Sequence, residues 1–201
     1  MAAQDIRAIL EGEVRILIGN SSRATIPDVL PADNVPIGGA WGGGWRELGF
    51  TTEDGVTFTF DRSYNEQMTA QSRTSVKSMR GTTVERIACT LLEITLDNFK
   101  DIAGYGIIAN TPAGSGTYGH RDLQFDPRTA IRYIAVGVEG IAPPDEDGMP
   151  RRIYMPLALA TASGDMNQRI GQASTLPAQF TRQGSAAEGM TTIRDILKPL
   201  P

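Results

Sequence analysis

Apolar and polar residues alternate along several stretches of this chain, most sharply at 56–61, where Val56, Phe58 and Phe60 interleave with Thr57, Thr59 and Asp61. Successive side chains of a strand point to opposite faces, so a period of two is the signature of a half-buried β-strand. With 51–55 as a turn, in which Gly55 is free to take positive φ, the segment 45–61 reads as a β-hairpin. The same period at 13–18, with Val14, Ile16 and Ile18 set against Glu13, Arg15 and Leu17, predicts the first strand. Strand character resumes at 75–80 and 84–93 around a Gly81-Thr82-Thr83 turn, with Ile87, Cys89 and Leu91 on one face. Further strands are expected at 130–138 and 151–161, joined by an acidic turn at 142–148, and a last pair at 177–183 and 190–197. In 151–161 the pattern puts Ile153, Met155, Leu157 and Leu159 on one face and the smaller Ala158 and Ala160 on the other, which suits a sheet packed on both sides.

One segment breaks to a helical period. Thr95 is a good N-cap, Asp97 lies in the first turn where the helix dipole favours a carboxylate, and Gly104 can close the end in the left-handed conformation. Ile94 and Phe99 occupy the hydrophobic-staple positions, and Leu96, Phe99, Ile102 and Ala103 form one apolar stripe by which the helix docks on a sheet.

Three stretches carry neither period. Residues 19–44 are rich in Ser, Pro, Asp, Asn and Gly, with Pro27, Pro31 and Pro36 removing backbone donors, and read as a long arm that contacts a neighbouring subunit. Residues 62–74 are polar yet lack Gly and Pro, which predicts a loop ordered by packing on something else. Residues 105–125 are Gly-rich and irregular.

At 201 residues the chain can bury one sizeable core, and one domain is expected. The 40% hydrophobic and 21% charged fractions are those of a folded protein, and no run approaches the roughly 18 apolar residues that span a bilayer. The first thirteen residues carry Asp5, Glu11 and Glu13 and lack the basic start and apolar stretch of a signal peptide, so synthesis is expected to end in the cytoplasm. Cys89 and His120 are the single cysteine and histidine, which excludes an internal disulfide and leaves no Cys/His zinc set. The net charge of −4 is unevenly placed: residues 1–60 hold eight acids and four bases, whereas 62–86 hold five bases and two acids. No basic patch on the scale of a specific DNA binder follows from this.

Candidate chemistry changes this picture little. Gly42-Gly43-Gly44 leads into a strand, whereas a phosphate cradle opens a helix, so a flexible loop is the better reading. The Asp145-Glu146-Asp147-Gly148 turn lacks the distal bidentate Glu and the length of a calcium loop. His120 beside Arg121 and Asp122 offers a general base, but no Gly-X-Ser-X-Gly elbow accompanies it. Trp41 and Trp45 can stack a sugar, which makes a carbohydrate-binding β-sandwich the alternative to a packing role; a small hydrolase using His120 is a third reading.

Two motifs carry a family resemblance. Trp45, Leu48, Gly49 and Phe50 followed by Glu53-Asp54-Gly55-Val56, and Leu91-Leu92-Glu93-Ile94-Thr95-Leu96 leading to Phe99 and Ala103-Gly104, resemble in order and spacing the hairpin and the strand-to-helix segment of siphophage tail-tube (major tail) proteins. The likeness covers residues 13–104 well and the rest by its strand-rich character. It implies a mainly β fold, a β-sandwich or partly open antiparallel barrel with one flanking α-helix, and a structural role rather than catalysis, with no cofactor and no metal. It also implies hexameric rings stacked into a tube in the virion tail, assembled in the bacterial host cytoplasm. The implied partners are tape measure, tail terminator and tail tip proteins, with double-stranded DNA passing through and no membrane involved. On that basis Arg62, Tyr64, Asn65, Glu66, Gln67, Met68 and Arg73, with Lys77 and Arg80 at the base, form the candidate ring-stacking loop. Thr57, Thr59 and Asp61 are candidate lumen-facing side chains of a polar, non-basic bore, and Leu96, Phe99 and Ile102 dock the helix.

Overall fold

The computed structural model describes residues 11–19, 41, 44–69, 72–126, 128, 130–141, 150–161, 174–184 and 190–195. In chain order these form β1 (Glu11–Gly19), β2 (Trp45–Glu47), β3 (Thr51–Thr69), β4 (Ser72–Leu91), α1 (Leu96–Ala103), β5 (Ile107–Thr111), β6 (His120–Gln124), β7 (Tyr133–Ile141), β8 (Pro150–Ala160), β9 (Leu176–Arg182) and β10 (Thr192–Asp195). Eight strands make one antiparallel sheet in the order β2-β1-β7-β8-β9-β4-β3, with β10 paired to β8. The two ends of that path, β2 and β3, are consecutive in the chain. Leu48, Gly49 and Phe50 step between them: the Leu48 amide donates to the Ile16 carbonyl (2.9 Å) on β1, and the Leu92 amide donates to the Phe50 carbonyl (2.8 Å). The sheet thus curls until its ends meet through three residues, a mainly β, partly open structure with one helix among the described residues. Gly49 makes the step possible with φ of 89°, a left-handed conformation that side chains rarely adopt; a Cβ there would also have to displace the Glu93 carboxylate, 2.4 Å away.

This arrangement corrects the hairpin expected at 45–61. β2 pairs with β1, Glu47 opposite Leu17, and β3 pairs with β4, Val56 opposite Cys89 and Phe58 opposite Ile87. Gly55 does take positive φ (67°), but within a register shift of β3 between Thr51 and Val56, so its turn propensity is absorbed as a bulge. Periodicity reports that a segment is a strand; it does not report the partner.

The inner face gathers one core: Ile16 and Ile18 of β1, Ile134, Val136 and Val138 of β7, Ile153, Met155 and Ala158 of β8, Leu176, Ala178 and Phe180 of β9, Ile87, Cys89 and Leu91 of β4, and Leu48 from the crossing. The expected phase of β8 is wrong past Met155. Val136 faces Met155 but Ile134 faces Ala158, so one extra residue lies in β8, at the Pro156-Leu157 step. Proline supplies no ladder donor and suits a bulge, and the inserted residue puts Ala158 on the core face in place of Leu157. Strands β9 and β10 do not pair with each other as expected. They lie one after the other along the same edge of β8, β9 against 158–160 and β10 against 151–154.

The helix follows the sequence reading closely. The Thr95 hydroxyl accepts from the Asn98 amide (3.1 Å), and Gly104 closes the end at φ of 73° with its amide on the Lys100 carbonyl (3.1 Å). Ile102 is buried in the core and Phe99 packs against it, while Leu96 is only half-buried. Polar residues missed by the apolar stripe complete the docking. Asn98, 1% exposed, donates to the carbonyls of Leu48 and Glu93 (both 2.9 Å) and accepts from Arg46 (2.6 Å); Asp101 pairs with Arg46 (2.5 Å) and Arg132 (2.7 Å). Residues 105–125 are not irregular throughout: β5 and β6 form a separate hairpin, tied to the helix by Arg121 and Asp97 (3.2 Å).

The outer face of β1, β7 and β8 is covered too. Trp41 is 4% exposed, lies on Gly137, where a Cβ would come within 2.3 Å of its ring, and has the Arg152 guanidinium 5.3 Å from its centroid. Trp45 meets Trp41 edge-on at 5.0 Å and Tyr154 at 6.0 Å. Beside them Glu139 and Arg152, both buried, pair at 2.9 Å, and Arg15 bridges Glu139 (3.1 Å) to Glu47 (2.7 Å). The hydrogen bond from Arg15 holds the Glu47 carboxyl below its usual pKa and raises that of Arg15 in turn. Of the arm expected at 19–44, Gly19 closes β1 opposite Trp45, and Trp41 and Gly44 are described; the remainder lies outside the described residues, as does the turn at 142–148.

Candidate assembly surface

β3 and β4 are paired from Thr51↔Leu91 to Thr69↔Ser72, but their second neighbours differ along the way. β9 accompanies β4 only between Arg86 and Leu91. Residues 61–69 and 72–85 therefore leave the sheet as a two-stranded ribbon, nine residues or about 30 Å long at some 3.3 Å per residue. Every described side chain from Ser63 to Gln67 and from Lys77 to Arg80 is exposed. The polar loop expected at 62–74 is thus a pair of strands. Polar sequence without Gly or Pro fits this ribbon, because with both faces in solvent it shows no inside–outside alternation for periodicity to detect.

The expected Gly81-Thr82-Thr83 turn is a bulge in β4. Arg62 faces Thr83 and Tyr64 faces Arg80, so two β4 residues stand against Ser63. The Ser63 hydroxyl accepts from the Thr82 amide (2.8 Å) and donates to the Thr82 carbonyl (3.2 Å), which satisfies the backbone that the bulge takes out of the ladder. Gly81 leaves room for it, since a Cβ there would meet the Ser63 oxygen at 2.4 Å. Where the ribbon departs, Glu85 ties it to the sheet through Thr191 and Arg182 (3.6 Å).

Of the sequence-predicted stacking residues, Arg62, Tyr64, Asn65, Glu66, Gln67, Lys77 and Arg80 all lie on this ribbon. Lys77 and Arg80 are part of it rather than at its base, and the side chains of Met68 and Arg73 are outside the described residues. Thr57, Thr59 and Asp61 line one exposed face of β3, as their alternation with Val56 and Phe58 requires. That face is polar but not free of basic charge, because Arg86 stands directly opposite Thr59. Sequence reading missed Ser63, Glu85 and Gly81, whose roles depend on a register that no local pattern encodes.

The other candidates are placed apart from the ribbon. His120 is exposed on β6, 3.4 Å from Asp122. Trp41, buried against Gly137 and Arg152, presents no open ring face for a sugar, and Trp45 is half-buried beside it. Cys89 lies in the core, where burial pushes its thiol up to about 12, so it is inert at neutral pH. No helix among the described residues is long and apolar enough to cross a membrane. No group of three or more His, Cys, Asp or Glu side chains placed to hold a metal ion occurs among them.

A search of the curated proteins gives no match to the chain. A family model described as phage tail tube protein matches residues 1–195, nearly the whole length and well beyond the stretch that carried the resemblance. The chain belongs to the phage tail tube protein family.

Proposed function

We propose that this protein assembles into hexameric rings that stack into the tail tube of a long-tailed bacteriophage, a conduit for double-stranded DNA, with the β3–β4 ribbon as the element that joins one ring to the next. The observation that carries the reading is the ribbon itself. A lone two-stranded ribbon is marginally stable in water, and among the described residues the nineteen of β3 have one edge of backbone donors and acceptors without a strand neighbour. Both liabilities disappear when copies pack side by side and end to end. The face bearing Thr57, Thr59 and Asp61 then lines the bore. Its mixed charge, Asp61 with Arg86, limits the number of phosphates that any one level neutralises, and so limits the grip on a sliding duplex. Tape measure, terminator and tip proteins would meet the tube at its lumen and ends.

Negative-stain microscopy of the purified protein is expected to show rings or tubes. Deleting residues 64–72 should leave a folded monomer that no longer polymerises, and tubes of normal length from that deletion would overturn the stacking role. Assembled tubes should bind DNA weakly at physiological salt, and tight binding would count against the conduit.

A further inference from the structure

We infer that the two faces of the ribbon have different fates in the tube: the face carrying Phe60, Arg62, Tyr64 and Arg80 is seated on a second copy of this chain in the next ring, while the face carrying Asp61, Ser63, Asn65 and Gln67 stays open and continues the lining of the bore. The inference rests on the stacking reading above and goes beyond it by assigning sides. Side chains of a strand alternate, and directly opposed residues share a face. The register of β3 runs without a shift from Val56 to Arg62, and the extra residue of the bulge lies in β4, so the row Val56, Phe58, Phe60, Arg62, Tyr64 is continuous. Its first two members pack on the core; Phe60 and Tyr64, 52% and 58% exposed, extend the same row past the end of the core. Arg80 joins it opposite Tyr64.

Three observations point to a partner on this side. Aromatic and arginine side chains are the residues that interfaces enrich at their centres, and here they share one face. The Arg62 guanidinium lies 5.0 Å from the Phe60 ring centroid, with its Nε shielded from water and without a hydrogen-bond partner, a donor desolvated before any partner has arrived. Met190 and Ile193, 67% and 51% exposed, border the same region where Glu85 holds Thr191, so the apolar surface is wider than the ribbon. Charge favours another copy as the occupant. The seated face holds Arg62 and Arg80 against Glu66, the next member of the row, and so is net basic; residues 62–83 as a whole are +3 in a chain of net −4, so the remainder carries −7. The opposite row is uncharged from Ser63 to Gln67, with Lys77 opposite Gln67 and Met79, 40% exposed, opposite Asn65. It continues the row of Thr57 and Thr59.

Cysteine labelling separates the faces, because the native Cys89 is buried and unreactive. Tyr64→Cys and Asn65→Cys are each labelled with a small maleimide as monomers and as assembled tubes. The expected result is labelling at position 64 slowed about tenfold or more on assembly, with position 65 changed by less than about twofold. If Tyr64→Cys itself blocks tubes while Asn65→Cys forms them, the assignment is also supported. Protection of both positions, protection of 65 alone, or tubes lost in Asn65→Cys would overturn the assignment of faces and leave the stacking role intact. Equal labelling of both positions in tubes and monomers would instead remove the ribbon from the ring contact altogether.

Discussion

The two halves of the β3–β4 pair have the same partner strand and opposite circumstances. Between Val56 and Phe58, and between Ile87 and Leu91, the pair is flanked by β9 and roofed by the core; beyond Asp61 and Val84 it has neither. The inner half forms because apolar burial contributes about 25 cal/mol per Å² removed from water. The outer half has little to bury in the monomer, so its strand geometry is extended from the inner half. On the stacking role proposed above, one continuous pair of strands would serve folding at one end and assembly at the other.

That contrast is sharpest in the response to truncation. Ile87→Ala removes a fully buried side chain facing Phe58 and is expected to cost about 2–5 kcal/mol in denaturant unfolding of the monomer. Met79→Ala, eight residues earlier on the same strand, should change monomer stability by less than about 0.5 kcal/mol. Comparable losses at both positions would mean that the ribbon is part of the folding core. Glu85→Ala acts at the border and should fall between them, at about 1–3 kcal/mol, because it strips Thr191 and Arg182 of a largely buried partner. Hydrogen exchange would locate the damage: it should spread from β10 and the base of the ribbon, leaving the β1 amides protected.

How much of this contrast the sequence discloses follows from the same physics. Helix α1 is legible almost residue by residue, because Thr95, Asp97 and Gly104 act on their own neighbours. Strands β1, β7 and β8 are legible as strands, because Ile16, Val136 and Met155 alternate with their neighbours. Pairing is not legible: β2 finds β1, and β9 and β10 share one edge of β8, through contacts between residues far apart in the chain. The phase of β8 fails at one bulge, since a single inserted residue moves every later side chain to the other face. Composition marks 62–74 as polar and without period but discloses neither the extent nor the strand conformation of the ribbon, because nothing in the monomer requires either of its faces to be apolar.

Acidification offers a smaller test, away from the ribbon. Hydrogen bonding to Arg15 lowers the Glu47 pKa, so folding favours the ionised form. The stability this contributes is fully present above the unfolded carboxylate value near 4.3 and is lost as pH falls through the lower folded value. Glu47→Gln should therefore flatten the stability profile between about pH 5 and pH 3, by no more than about 1 kcal/mol for a partly exposed pair. It should leave maleimide labelling of the Tyr64→Cys variant as before, since Tyr64 lies on the ribbon, seventeen residues along the chain from Glu47 and paired there with Arg80.

The smallest expected effect on the monomer tests the border most directly. Ser63→Ala removes both hydrogen bonds to Thr82 while leaving the shape of the bulge. Ser63 is exposed, so water can replace the lost partner and global stability should fall by less than about 1 kcal/mol. The Thr82 amide should nevertheless exchange faster, since its protection comes from the hydroxyl rather than from the ladder. A bulge sets the bend and twist of the strand that contains it, and loosening it broadens the directions in which the ribbon points. On the proposed stacking role each ring contact selects one of these directions at an entropic cost, so Ser63→Ala should raise the protein concentration needed for tube growth far more than it lowers the unfolding midpoint. Equal sensitivity of the two measurements would mean that the ribbon's direction is fixed by the sheet and not by the bulge, and the border between the folding and assembling halves would then lie closer to Glu85.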